Sequence, residues 1–206
     1  MNPQKNFSED KWARYNGFSP LISVFKYFHP LNKEIETIIN NSTFPVVFKK
    51  GKFISSPLHR NKYIFLVLRG TVRGYMKHGS KEITTWIAKE HELVGTIRNL
   101  WEEQETDEYI QALEPIEAIA IPHEMSKELY EKFPIANYVG RKMTELHYAQ
   151  AFERGFLCRL QSAERKYLRF LKSYPGLIDR VPLKYIASFL GMRMETLSRV
   201  RAKTGR

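Results

Sequence analysis

The sequence predicts an α+β fold in which an antiparallel β-rich half precedes a helical half. Three observations carry this. Runs rich in β-branched and aromatic residues recur about every ten residues between positions 44 and 121, divided by glycines and polar turns, a spacing that favours an antiparallel barrel or sandwich. Beyond Pro122 the periodicity becomes helical, with a stretch over 135–160. Residues 181–206, VPLKYIASFLGMRMETLSRVRAKTGR, read as two short helices hinged at Gly191.

Residues 1–20 carry no clear pattern and predict an irregular start. A short apolar helix is expected over 21–28. After Pro30, Asn32 can cap a second helix, with Glu34 and Glu36 favourably placed near its positive end, running to Asn40-Asn41. The strand candidates follow: FPVVF, KYIFLVL, TVRGYM, EITTWIA, YIQAL and EAIAI. Lys77-His78-Gly79-Ser80 separates two of them as a hairpin turn, and Gly51 and Gly70 fall between others.

A helix over 125–132 stops at Phe133-Pro134, and the long helix begins. Its apolar residues, Ile135, Val139, Met143, Leu146, Ala149, Phe152, Phe156 and Leu160, follow steps of 4, 4, 3, 3, 3, 4 and 4, which predicts one apolar face throughout. At about 1.5 Å per residue this helix outruns what a small β-domain can cover. A second copy of the chain or the helix's own domain could cover that face. Gly140 and Gly155 each weaken the helix, and Gly155 would permit a close helix approach or a bend. Ser162 can cap the next helix, with Glu164 in its first turn, and Tyr174-Pro175-Gly176 ends it.

The terminal segment satisfies several constraints at once. Pro182 falls in the first turn of a helix, where proline is tolerated. Ile186, Ala187 and Leu190 make an inward stripe, and Gly191 supplies the left-handed turn. From Ala187 the spacing runs +4 to Gly191, +10 to Leu197 and +13 to Val200, the general helix-turn-helix pattern. Helical geometry then places Glu195, Ser198, Arg199 and Ala202 on one outward side. Arg can bond guanine through two hydrogen bonds, Glu can accept from cytosine, and Ser serves either way. Arg193, Thr196, Arg201 and Lys203 flank that face as candidate phosphate contacts.

Charge supports this reading. The 206 residues carry a formal net charge of +11, with a sequence pI near 9.7. Residues 159–206 hold 12 Lys/Arg against 3 Asp/Glu, a balance of +9, which leaves 21 against 19 in the first 158. A near-neutral body with a basic module is the footprint of nucleic-acid binding. The longest wholly apolar run, 64–68, is far short of a membrane span, and the polar N-terminus lacks a signal peptide's apolar core. A cytoplasmic protein without membrane association is expected. One cysteine, Cys158, excludes an internal disulfide and a cysteine-rich metal site, and reads as a packed helix residue. The six histidines show no pair at ligand spacing, and no nucleotide-phosphate loop or nucleophile motif occurs. The expectation is therefore no enzyme, no metal and no cofactor.

Over about residues 20–206 the chain resembles the Crp/Fnr family of bacterial transcription regulators. The likeness rests on FKKGKFI and YIFLVLRGTVRGYM, the long helix, and above all VPLKYIASFLGMRMETLSRVR. It implies an antiparallel β-roll of the cyclic-nucleotide-binding type as a sensor over 1–134, a dimerisation helix over 135–160, and a DNA-binding helix-turn-helix domain over 161–206. The implied partners are double-stranded DNA, a second copy of the chain, RNA polymerase and an unknown small-molecule effector. In the family, Arg-Glu-Thr-x-x-Arg opens the recognition helix. Glu195, Thr196 and Arg199 match it, whereas Met194 stands in place of the first Arg. The family's β-hairpin wing has no counterpart before Arg206.

The sensor half departs further. Members that bind cyclic AMP hold the ribose with a Glu after Gly and the phosphate with an Arg before Ser or Thr. Here Thr96 follows Gly95, and Asp107 and Glu108 occupy the region of the Arg. A phosphate facing carboxylates meets repulsion where it needs a charge-assisted bond, so cyclic AMP is not the expected ligand. Gly95, Thr96, Arg98 and Tyr109 mark the candidate effector pocket, with Arg98 read first as a surface or structural residue and alternatively as a substitute anion partner. Two other readings remain: a small-molecule receptor centred on the roll, and a protein-interaction scaffold.

Overall fold

The computed structural model describes residues 11–58, 62–96 and 106–205. The chain opens with a 3-10 turn, Ala13–Tyr15, then α1 (Pro20–Phe28) and α2 (Lys33–Ser42). Of the irregular start expected over 1–20, residues 1–10 lie outside the described residues and 11–19 hold only turns and the 3-10 turn, yet this segment is anchored. Trp12 is buried, and its indole N–H donates to the Asn40 carbonyl at 3.0 Å. Asn32 caps α2, its Oδ1 accepting from the Ile35 amide at 2.8 Å.

The β half comprises β1 (Phe44–Phe48), β2 (Phe53–Ser55), β3 (Tyr63–Arg69), β4 (Val72–His78), β5 (Lys81–Ala88), β6 (Leu93–Val94), β7 (Glu108–Ala112) and β8 (Ile116–Pro122). Among the described residues they form two four-stranded antiparallel sheets, ordered β1-β8-β3-β6 and β2-β7-β4-β5. Each of the six runs singled out in the sequence becomes a strand. β4 and β5 close through Gly79-Ser80, with His78 opposite Lys81 and Gly79 at φ +59°, a two-residue hairpin turn.

Side chains alternate along β4, as a half-buried strand requires. Val72 joins the core between the sheets with Ile110 and Ala112. Gly74 also faces inward, where the Trp86 indole from β5 lies so close that any Cβ would overlap it. Arg73 and Tyr75 point to the opposite face.

The helical half runs α3 (His123–Lys132), α4 (Pro134–Arg159), α5 (Ala163–Ser173), α6 (Leu177–Arg180), α7 (Leu183–Phe189) and α8 (Met194–Lys203). Ser162 caps α5, accepting from the Arg165 amide at 3.3 Å. One buried cluster joins α1, α2, α3 and the start of α4 to β3 and β8 through Leu21, Ile35, Leu66, Ile119, Leu129 and Val139. Another unites α5 to α8 around Tyr167, Phe170, Ile186 and Leu197, and takes in Ile87 and Leu113 from the roll.

The apolar residues expected along α4 are only partly covered by its own chain. Val139 is buried and Met143 packs against the first cluster, but Leu146, Phe152 and Phe156 are exposed. Three successive steps of three residues, from 143 to 152, explain this. Each falls about 60° short of a full turn, and together they carry the stripe halfway round the helix. The face that packs inward instead follows Ala136, Val139, Gly140 and Leu157. The close approach falls at Gly140, where a Cβ would overlap the Tyr130 ring, whereas Gly155 meets only an Arg159 side chain. Cys158 is exposed rather than packed, and its thiol donates to the Phe189 carbonyl at 3.3 Å.

Candidate nucleic-acid interface and effector cavity

The turn between α7 and α8 has a defined geometry. Gly191 sits at φ +62°. Its amide donates to the Ser188 carbonyl at 3.1 Å, and the Met192 amide reaches back to the Ala187 carbonyl at 3.0 Å. This paired arrangement, with glycine left-handed just past the helix end, satisfies two carbonyls that α7 would otherwise leave open. Lys166 of α5 donates to a third, the Leu190 carbonyl, at 2.9 Å. Ile186, Ala187, Leu190 and Leu197 are buried, as their spacing predicts.

Burial of Leu197 orients α8. Glu195, Ser198, Arg199 and Ala202 are exposed together on the opposite side, Arg193 and Lys203 are exposed beside them, and Thr196 and Arg201 are partly covered. Arg201 lies 3.9 Å from Asp179 and Lys203 3.6 Å from Glu164. Such exposed ion pairs contribute about 0–1 kcal/mol.

The helix-turn-helix is held against the chain's own β-rich half. Among the described residues β5 is an edge strand, and the Ser188 hydroxyl takes up part of its backbone: it accepts from the Thr84 amide at 3.0 Å and donates to the Glu82 carbonyl at 3.2 Å. Arg73 is 1% exposed, its guanidinium set between the rings of Tyr185 at 3.6 Å and Tyr75 at 4.1 Å. It donates to Glu82 at 2.6 Å and to Gln111 at 2.7 and 3.0 Å. Arg180 of α6 reaches Glu90 at 2.7 and 2.9 Å and Glu114 at 2.7 and 3.2 Å. Stacking and forked bonding of this kind are properties of the planar guanidinium. The sequence marked neither arginine, because Gln111 and Tyr185 lie far along the chain from Arg73, and Glu90 and Glu114 far from Arg180.

A cavity of about 590 Å³ opens between the β-rich half and α4. Trp86, Gly95 and Thr96 line one side; Arg141, His147 and Arg154 line the other. Burial, then the charge of Arg154, lowers the His147 pKa, which favours the neutral ring near pH 7. Burial raises the Glu92 carboxyl, which accepts from Gln150 of α4 at 3.1 Å.

No family model and no curated protein matches the sequence. Solved structures match its fold. A protein from Eubacterium rectale described as a Crp/Fnr-family transcriptional regulator superposes with a TM-score of 0.70 at 16% identity, over 89% of this chain and 88% of its own. The regulator CLP of Xanthomonas campestris, described as c-di-GMP-responsive, gives 0.66 at 14%, over 84% and 92%. FixK2 of Bradyrhizobium japonicum gives 0.65 at 16%, over 79% and 84%. This chain has the Crp/Fnr fold.

Within this Crp/Fnr fold the predicted effector residues do not all converge. Gly95 and Thr96 line the cavity, and Thr96 is fully buried. Tyr109 does not: strand alternation sends its neighbour Ile110 into the core, so the phenol lies on the outer face. There it stacks on Tyr75 at 4.9 Å, with Lys77 above it at 4.6 Å. Arg98 lies outside the described residues, as do 99–105. Glu108 turns toward the interior and accepts from the Trp86 indole N–H at 2.7 Å, while Asp107 is exposed. Among the described residues the cavity's guanidinium groups, those of Arg141 and Arg154, come from α4. Part of their signal was present in the sequence: Gly140, His147, Gln150 and Arg154 recur at helical spacing beside the apolar stripe.

Proposed function

We propose that the chain is a transcription regulator of the Crp/Fnr type that binds double-stranded DNA sequence-specifically as a homodimer. The observation that carries this reading is the exposed face of Glu195, Ser198 and Arg199, aimed outward by the buried Leu197. On that geometry α8 enters the major groove, Arg199 and Glu195 read base edges, and Arg193, Thr196, Arg201 and Lys203 hold phosphates. The exposed aromatics of α4 support pairing with a second copy, which would address half-sites about 34 Å apart. Selection of bound fragments from random duplex DNA tests the reading. A two-fold-related motif should emerge, and affinity should fall steeply with salt. Retention of no duplex at low salt, or a flat salt dependence, would count against it.

Cyclic AMP is not the effector on this reading. Thr96 offers no carboxylate to a ribose, and Glu108 places a carboxylate in the interior. The melting temperature should be unchanged by cyclic AMP, and a rise would contradict this part of the proposal. The cavity favours a second reading, in which the roll is foremost a small-molecule receptor. A ligand-dependent rise in melting temperature without any effect on DNA binding would favour that one.

A further inference from the structure

The two methionines at the start of the recognition helix have different fates. Met192 is packed into the same cluster as Leu197. They stand two residues before and three residues after Met194, the first residue of α8. These are the positions of a hydrophobic staple, which fixes how the chain enters a helix. Met194 belongs to none of the three buried clusters and is 47% exposed. It is an apolar side chain displayed on a strongly basic module, at the helix end expected to reach the bases.

Its direction is set by backbone geometry. Every Cα–Cβ bond in a helix tilts toward the N-terminus, so a side chain at the first position projects past the end of the helix. Met194 also lies four residues before Ser198, next to it on the helix surface and at the margin of the reading face. A recognition helix presents its N-terminal residues to base edges in the major groove. The apolar group that groove offers is the 5-methyl of thymine. A flexible, polarizable thioether adapts readily to such a small apolar target.

We infer that Met194 is a specificity residue that selects thymine in each half-site through contact with its 5-methyl group. This rests on the DNA-binding reading above. The test uses the full chain and the duplex recovered by random-sequence selection, with each thymine replaced in turn by deoxyuridine, which removes only the methyl. One position per half-site should lose about 3- to 5-fold in affinity, the equivalent of burying one methyl. Met194→Ala should abolish that sensitivity while leaving the thermal melt unchanged, because the side chain is exposed. Met194→Arg should shift selection at that position toward guanine. Deoxyuridine tolerated at every position, or full sensitivity retained in Met194→Ala, overturns the inference and leaves the DNA-binding reading standing. Failure to recover any duplex overturns both.

Discussion

Arg180 meets Glu90 across the boundary between the helical half and the roll, through two hydrogen bonds of 2.7 and 2.9 Å. The same guanidinium also reaches Glu114. Both carboxylates are tied back to the β3–β4 turn, Glu90 by the Gly70 amide at 2.8 Å and Glu114 by the Thr71 hydroxyl at 2.9 Å. Gly70 is at φ +102°, and a Cβ there would overlap Ile116 and the Pro115 carbonyl. One cation thus joins α6 to a turn that only glycine can make.

Arg180→Ala should loosen the helix-turn-helix from the roll, at a cost on the order of 1–3 kcal/mol for the lost charged hydrogen bonds. Amide hydrogen exchange in α6 and α7 should accelerate while strands β3 and β8 keep their protection. Arg180→Lys should recover only part, since an ammonium cannot fork onto two carboxylates. Unchanged exchange in α7 would show that the contact does not hold the domain.

The same contact makes docking sensitive to acid. Hydrogen bonding from Arg180 lowers the Glu90 carboxyl from 4.5 to about 2, and it lowers Glu114 as well. Because the folded pKa lies below the unfolded one, the stabilisation is full above pH 4.5 and is lost as pH falls toward 2. The difference in melting temperature between wild type and Arg180→Ala should therefore shrink across that interval. Glu153, also lowered to about 2 by Arg169, contributes equally to both proteins and cancels. A difference constant with pH would refute the assignment.

Phe152 and Phe156 are 68% and 45% exposed. Large apolar groups displayed together in this way mark interaction surfaces. Phe152→Asp combined with Phe156→Asp should leave the monomer fold intact and shift sedimentation from dimer to monomer. DNA affinity should fall with it, since two half-sites can no longer be held at once. A double variant that still sediments as a dimer would exclude this face.

Arg199→Ala should cost about 1–3 kcal/mol in operator binding and relax preference at one base position, whereas Lys203→Ala should weaken all sequences alike and reduce the salt slope by about one. Competition binding on single-base variants of the selected site separates the two. Equal loss on every sequence for Arg199→Ala would move that residue to the phosphates.

Much of the fold was legible because its signals are local. The strand runs at 44–48 and 116–122, the caps Asn32 and Ser162, and the Ala187–Gly191–Leu197 spacing each encode an element within a few residues of themselves. β2 and β6, three and two residues long, carry no such signal, because they exist only by pairing with β7 and β3. Tyr109 was misassigned for a related reason. Its face is decided by strand parity relative to a core that a sequence alone does not display.

By itself, then, the sequence determined where the chain bends, caps and alternates, and which side of the last helix carries charge, since propensity, periodicity and turn chemistry act over one or two turns of backbone. The tertiary structure decided what crosses between halves. It put Arg73 between two tyrosines, Arg180 between two glutamates, and Val139 and Leu157 of α4 against their own chain while Phe152 and Phe156 stayed exposed. Such outcomes depend on partners tens of residues away, and their strength comes from burial and geometry that exist only once both halves are packed.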